Sequence, residues 1–157
     1  MDKILFGVLF YVCASEWESL IVFCLKRGLR QGDPLASFLF LIVAEGLASV
    51  VREAYENNLI ESMEVEAKKV KVNMLQYVDD TLFFYKASTN SVFNLKVILH
   101  YSEFASSLKV IFSNSRIGGV GIDHITVQQF VAILNCEVIK IPFKYLGMLV
   151  GGCHKRV

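Results

Sequence analysis

One nearly unbroken stretch in the first half of the chain constrains the fold more than any other feature. Asp33 followed by Pro34 is typical of a helix start, because aspartate caps free N–H groups and proline fits the first turn. The range 35–55 consists of strong helix formers, and Asn57 and Asn58 end the pattern. We therefore predict one long helix, buried on most of its circumference. Its apolar positions at helical spacing are Leu35, Leu39, Ile42, Val43, Leu47, Val50 and Val51.

The remaining elements are shorter and mixed. We predict strands at 63–66, 70–77, 81–85, 108–112 and 143–150, and helices at 91–105 and 126–134. The glycine-rich range 117–123 is expected to be a loop or an edge strand. Such an order predicts an α+β domain with helices packed on one face of an antiparallel sheet. The apolar face expected for the 91–105 helix consists of Phe93, Val97, Ile98, Tyr101, Phe104 and Ala105.

Length and composition indicate the class of protein. A length of 157 residues fits one domain, and a hydrophobic fraction of 54% is high for a soluble one. Either this domain is unusually well buried, or its apolar faces meet other parts of a larger protein. The net charge of +1 does not by itself indicate a nucleic-acid partner. The four cysteines form no CxxC pair, which favours free thiols over a zinc site or a disulfide framework.

The start of the chain bears on localisation. Lys3 and the apolar range 4–14 are similar to a short signal peptide, but Glu16, Glu18 and the free cysteines argue against export. The next apolar run, 38–44, is far shorter than the roughly 20 residues that a membrane helix needs. We therefore expect an intracellular protein, in the nucleus or the cytoplasm, that is not secreted and has no membrane partner.

Two adjacent aspartates, Asp79 and Asp80, are the sharpest chemical feature. They lie between two apolar strand-like segments, at a predicted tight turn. Carboxylates there can hold hard divalent cations, and two-metal phosphoryl transfer needs such ligands. The alternative interpretation is ordinary turn chemistry, which the Asp-Asp pair alone would favour.

The surrounding segments resemble the reverse-transcriptase palm of LINE-type (non-LTR) retrotransposons common in plant genomes. RGLRQGDPL (27–35) is similar to motif B, and LQYVDDTLFF (75–84) is similar to motif C. SLKVIFSNS (107–115) is similar to motif D, and PFKYLG (142–147) followed by a VGG triplet is similar to motif E. This resemblance divides the chain into a degenerate remnant at 1–26, a palm fragment at 27–152 and a tail at 153–157.

The resemblance implies RNA-directed DNA polymerase chemistry, with an RNA template, a DNA primer and deoxynucleotides as partners. It implies Mg²⁺ or Mn²⁺ as the cofactor, held by Asp79 and Asp80 as catalytic metal ligands. Tyr77 would lie beside the primer end, and the nucleotide and template would contact Arg30, Gln31 and Gly32. The residues corresponding to the primer grip are Phe143, Lys144, Tyr145, Leu146 and Gly147.

Several departures from the family pattern argue against activity. The family carries a third aspartate in motif A, on the strand that pairs beside the motif C hairpin, and no equivalent is evident before motif B. Asp2 lacks the strand-like context of a metal ligand, and 17–25 resembles only the helix that follows motif A. Another chain would have to supply fingers, thumb and endonuclease regions. The motif D segment has Ser107, Ile111 and Asn114 where the family has glycine, asparagine and lysine.

We therefore expect a truncated palm that forfeits several kcal/mol of transition-state stabilisation and shows almost no polymerase activity alone. One alternative is a non-catalytic nucleic-acid-binding module. Its base-stacking platform would be the aromatic set of Tyr77, Phe83, Phe84 and Tyr85. The other alternative is a pseudogene product with no molecular function, whose exposed apolar surface makes it aggregate.

Overall fold

The computed structural model describes residues 4–13, 33–65 and 70–151, with side-chain detail for 33–63 and 72–151. The fold is α+β, as predicted. The helices are α1 (Pro34–Glu56), α2 (Thr89–Ser106) and α3 (His124–Leu134). The strands are β1 (Ile4–Cys13), β2 (Glu64–Val65), β3 (Val70–Lys71), β4 (Met74–Tyr77), β5 (Asp80–Lys86), β6 (Lys109–Val120), β7 (Glu137–Val138), β8 (Phe143–Tyr145) and β9 (Met148–Val150).

The main sheet has five strands in the order β4-β5-β1-β6-β7. β1 lies in its centre and is antiparallel to both β5 and β6, whereas β7 joins β6 in parallel. The glycine-rich range 117–123 was predicted as a loop or an edge strand. Its first part instead extends β6, which pairs on both sides and is therefore an interior strand.

The start and end of α1 agree with the sequence. The Asp33 carboxylate accepts a hydrogen bond from the Leu35 N–H at 2.9 Å, and Pro34 is the first helical residue. The amide of Asn57 donates to the carbonyl of Glu53 at the other end. These caps satisfy backbone groups that a helix terminus leaves unpaired.

The prediction that α1 is buried on most of its circumference is wrong. Only Leu47, Val51, Ala54 and Tyr55, all in its C-terminal half, are buried. The outward residues of its N-terminal half are apolar nonetheless. Periodicity finds an apolar stripe, but it does not say whether a neighbour covers it. The exposed apolar side chains of this half are Leu35, Phe38, Leu39, Leu41 and Ile42.

The helix α2 turns a different face to the core from the one predicted. Its buried residues are Ser91, Val92, Leu95 and Leu99. Of the predicted face, Ile98 is partly buried against the core, whereas Phe93, Val97, Tyr101, Phe104 and Ala105 are exposed. Both stripes are apolar and both recur at helical spacing, so the sequence pattern alone does not discriminate between them.

The end of α2 supplies a first prediction. Ser107 has a φ of +60°, a left-handed conformation that favours glycine, and the reverse-transcriptase pattern has glycine here. We expect Ser107→Gly to raise the free energy of unfolding by about 0.5–1 kcal/mol. Urea denaturation measures this. The control is Ser106→Gly, which should lower stability because the Ser106 hydroxyl donates to the Ser102 carbonyl and accepts from the Leu108 N–H.

The two faces of β5 carry separate cores. Phe83 and Tyr85 belong to a cluster shared with α1, α2 and α3. Leu82 and Phe84 face the other way and belong to a smaller cluster without helical residues. Successive strand residues point to opposite faces, so helices cover one face and short strands and loops the other. The buried partners on the second face are Met63, Phe143 and Tyr145.

Two buried tyrosines differ in whether their hydroxyl groups form hydrogen bonds, which gives a prediction for the two matched substitutions. The Tyr55 hydroxyl donates to the Phe84 carbonyl at 2.7 Å, which ties α1 to the sheet. The Tyr85 hydroxyl has no partner among the described residues, although it is fully buried. We expect Tyr55→Phe to lower the free energy of unfolding by about 1–2 kcal/mol and Tyr85→Phe to leave it unchanged or raise it. Chemical denaturation measures both, and equal losses would contradict this account.

Within the described part of the chain, α1 is the helix whose length and hydropathy would suit a membrane span. The core helices of soluble proteins can have the same length and hydropathy. The C-terminal half of α1 packs on the sheet through Leu47, Val51 and Tyr55. A span formed by this helix would have to give up that packing.

Candidate metal site at the β4–β5 hairpin

The predicted tight turn is a two-residue hairpin loop. β4 ends at Tyr77 and β5 begins at Asp80, and these two residues are paired across the hairpin. Val78 and Asp79 form the loop between them. Met74 on β4 packs against the larger core, and Leu82 and Phe83 on β5 are buried, so the core anchors the strands that present the two carboxylates.

The loop holds its first residue in an uncommon backbone conformation. Val78 has a φ of +52°, which is rare for a β-branched side chain and costs about 1–2 kcal/mol. A positive φ at only the first of two loop residues is the pattern of type II′ hairpin turns, where glycine is usual. The Val78 side chain is exposed and lines a surface groove. Retained strain of this kind is concentrated at functional sites.

Asp79 and Asp80 are close enough to influence each other. Burial, and then the charge of Asp79, raises the pKa of the Asp80 carboxyl above its ordinary value. Asp79 is exposed and Asp80 is half-buried. Among the ion pairs of the described side chains, none involves either carboxylate. The tip of the hairpin is therefore a concentration of negative charge that a cation would relieve.

This charge gives a pH prediction. A carboxyl whose pKa is raised by folding destabilises the fold when ionised, and the penalty disappears below its ordinary pKa of about 4. We expect Asp80→Asn to raise the midpoint of urea unfolding at pH 7 and to lose this advantage by about pH 3. A gain that persists unchanged at the lower pH would contradict the electrostatic origin.

A groove separates the hairpin tip from the N-terminal half of α1. It has a volume of about 640 Å³ and is open to solvent. Gln76 and Val78 line it from the hairpin, and six residues line it from the helix. Arg30, Gln31 and Gly32, predicted to contact nucleotide and template, lie outside the described residues. The helical lining residues are Ala36, Ser37, Phe40, Leu41, Ala44 and Glu45.

The structure connects the predicted primer-grip segment to the aspartates. β8 and β9 form a second hairpin, whose loop residues Leu146 and Gly147 both have positive φ, the pattern of a type I′ turn. The hydroxyl of Tyr145 donates to the backbone carbonyl of Asp80 at 3.3 Å. Burial, and then the charge of Asp80, raises the pKa of Tyr145. Two regions 65 residues apart in sequence thus meet at the candidate site.

The individual residues of this segment differ in exposure. Phe143 and Tyr145 are buried in the smaller core, so they also serve packing. Lys144 points to solvent between them, and Leu146 and Gly147 are exposed at the tip. Tyr77 is 59% exposed beside Asp80 and is accessible to a ligand.

The strand β1 is the feature that sequence reasoning missed. It pairs directly beside β5, with Tyr11 opposite Asp80 and Phe10 opposite Thr81. The run 4–13 contains no acidic residue, so the strand beside the hairpin brings none to the site. Asp2 lies outside the described residues, and β1 begins at Ile4, opposite Lys86, at the end of the pairing farthest from Asp80. The sequence signal that could have predicted this strand is the apolar run 4–13 itself.

The donor atoms fit a hard divalent cation in type but not in number. Two carboxylates supply oxygen ligands of the kind that Mg²⁺ and Mn²⁺ prefer. Among the described residues, no group of three or more His, Cys, Asp or Glu side chains is close enough to share an ion. Asp79 and Asp80 can therefore hold an ion only with water or further donors.

The base-stacking platform is not formed as the alternative hypothesis requires. Phe83, Phe84 and Tyr85 are buried in the two cores. Of the four aromatic residues, only Tyr77 is exposed. Nucleic acid cannot stack on the other three without unfolding the sheet.

Comparisons with known proteins give a limited likeness. No family model matches this chain. Over 56 residues, 36% of the chain, the sequence is 40% identical to an uncharacterized mitochondrial protein of Arabidopsis thaliana. The match spans about half of that relative, 46% of its length. The chain is therefore similar over part of its length to a plant protein whose name assigns no activity.

Proposed function

We propose that this chain is a palm fragment of a LINE-type retrotransposon reverse transcriptase, with an incomplete site for two-metal nucleotidyl transfer. The observation that carries the proposal is the position of Asp79 and Asp80 at the tip of a hairpin whose Gln76 and Val78 line a groove shared with α1. The helix begins at Pro34, within the RGLRQGDPL segment that resembles motif B, and the hairpin contains the segment that resembles motif C.

Each element has a defined role in this proposal. Asp79 and Asp80 would hold Mg²⁺, which when bound activates the primer hydroxyl and stabilises the leaving pyrophosphate. Tyr145 holds the second hairpin against the backbone of Asp80, which orients the primer relative to the carboxylates. The exposed Tyr77 would contact the primer end. RNA template, DNA primer and deoxynucleotides are the proposed partners.

Because the described residues bring only two carboxylates to the site, the natural chain is catalytically silent in this proposal. Two acidic ligands compensate the cations less well than three, and phosphoryl transfer depends on that electrostatic stabilisation. We expect no primer extension on an RNA template in Mg²⁺ or Mn²⁺. Extension that disappears in an Asp79→Asn/Asp80→Asn variant would show that another residue completes the site.

Binding of Mn²⁺ tests the site without requiring activity. We expect paramagnetic broadening of backbone NMR signals centred on the β4–β5 hairpin, lost in the Asp79→Asn/Asp80→Asn variant. Glu53→Gln/Glu56→Gln is the matched control, because it removes two exposed carboxylates elsewhere and should leave the broadening intact. Absence of hairpin broadening at millimolar Mn²⁺ in the natural chain would refute the metal site.

A further inference from the structure

The outer face of α1 is an unusually large apolar surface. We define it by Leu35, Phe38, Leu39, Ile42 and Gly46, which point away from the sheet. Across a shallow groove it continues to Tyr101 and Phe104 of α2, and both Gly46 and Tyr101 line that groove. The exposed parts of these side chains amount to on the order of 700 Å², compared with about 300–600 Å² for the largest patch of a typical monomer. That area approaches the roughly 800 Å² that each partner buries in a stable complex.

The charges around this face indicate what covers it. Glu45, Glu53 and Glu56 lie on the same side of the helix as Ile42, and Arg52 is paired with Glu45 at 3.8 Å. Surfaces that bind membranes carry lysine and arginine at the rim, because anionic lipids attract them. An acidic rim therefore favours a protein partner over a lipid surface.

The charges within α1 indicate the orientation of that partner. Its first turn contains no acidic residue and its last turn no basic one, while Glu53 and Glu56 lie near the C-terminal end. The two glutamates oppose the helix dipole, which favours negative charge at the N-terminus, where the cap Asp33 supplies it. An antiparallel helix alongside α1 would bring its positive N-terminal end to these glutamates.

A second copy of α1 meets these requirements. In an antiparallel pair centred on Ile42, the rise of 1.5 Å per residue places Glu53 about 16 Å from the centre. The partner helix begins about 12 Å from the centre on the same side, so the glutamate lies just beyond its first residue, at the positive end of its dipole. The same pairing sets Phe38 opposite Gly46 and Leu35 opposite Ser49, so that large side chains face small ones.

We propose that the outer face of α1 is a two-fold interface at which two copies of this chain pair through antiparallel α1 helices. The interface is isologous, since each residue contacts the symmetry-related set on the other copy. It does not involve Asp79 or Asp80 and is independent of the proposed polymerase ancestry.

Sedimentation equilibrium of the full chain tests the interface. The natural chain should be a dimer at micromolar concentration, and Ile42→Glu should raise the dissociation constant at least about 100-fold. Ile42 is 53% exposed in the single chain, so the substitution is compatible with the fold. Ile125→Glu is the matched control, since Ile125 is 72% exposed on α3, outside the interface, and should leave the dimer unchanged.

The orientation has its own test. Glu53→Gln/Glu56→Gln should weaken the dimer several-fold at low salt and raise the thermal stability of an Ile42→Glu monomer, because it removes charges that oppose the dipole of α1. A chain that is still monomeric at about 100 µM would overturn the proposal. So would a dimer that Ile42→Glu leaves intact, or a monomer that floats with phosphatidylcholine vesicles.

Discussion

Replacing Tyr11 with aspartate is expected to produce primer extension about three orders of magnitude above the background of the natural chain. Tyr11 is the backbone partner of Asp80 in the β1–β5 ladder. Directly opposed positions of an antiparallel pair have Cβ atoms about 5 Å apart on the same face of the sheet. An aspartate at position 11 would therefore bring a third carboxylate to the existing two.

The magnitude follows from the role of the missing group. A third carboxylate ligand compensates charge where the transition state forms, and single groups of this kind contribute about 3–4 kcal/mol. Each 1.36 kcal/mol is about tenfold in rate, which gives about a thousandfold. The measurement is extension of a DNA primer on an RNA template in Mg²⁺, with product resolved to single nucleotides.

Two controls separate the carboxylate from other effects of the substitution. Tyr11→Asn has nearly the same shape as Tyr11→Asp but no charge, and should show no gain. Tyr11→Asp combined with Asp80→Asn should return to background. A gain in Tyr11→Asn, or none in a folded Tyr11→Asp chain that binds Mn²⁺, would refute the assignment of position 11.

The elements that sequence predicts well are those defined by local chemistry. Asp33 and Pro34 determine where α1 begins, because capping and a fixed φ act over a few residues. The hairpin around Asp79 and Asp80 follows likewise from two apolar strands joined by a short polar loop. The predicted 126–134 helix is confirmed as α3, which starts two residues earlier, after the cap Asp123.

The elements that sequence predicts poorly depend on distant partners. β1 became the central strand because β5 and β6, more than 65 residues away, both pair with it, and no local pattern encodes that choice. The contact of Tyr145 with Asp80 is likewise non-local. The exposure of α1 could not be predicted from the sequence either, because an apolar residue such as Phe38 recurs with the same periodicity in a core and in an interface.

Shortening Phe83 to alanine is expected to lower the free energy of unfolding by about 3–5 kcal/mol, the largest loss of stability among these variants. Phe83 is fully buried in β5, where the sheet meets α1 and α2. Its removal takes away transfer free energy and leaves a cavity that rigid neighbours on three elements cannot fill. Since small domains have about 5–15 kcal/mol in total, a chain at the low end would be largely unfolded at room temperature.

The control is Phe93→Ala, which makes the same chemical change on the exposed side of α2 and should cost less than about 0.5 kcal/mol. Urea denaturation at low protein concentration measures both variants without a contribution from association. Equal losses for the two phenylalanines would mean that the Phe93 stripe is the one facing the sheet. In that case α2 would be rotated by roughly half a turn about its axis. A large loss for Phe83 alone would show that packing against the helical layer stabilises β5, whose first residue is Asp80. A strand supported by such packing is the physical requirement for presenting two carboxylates in a constant geometry.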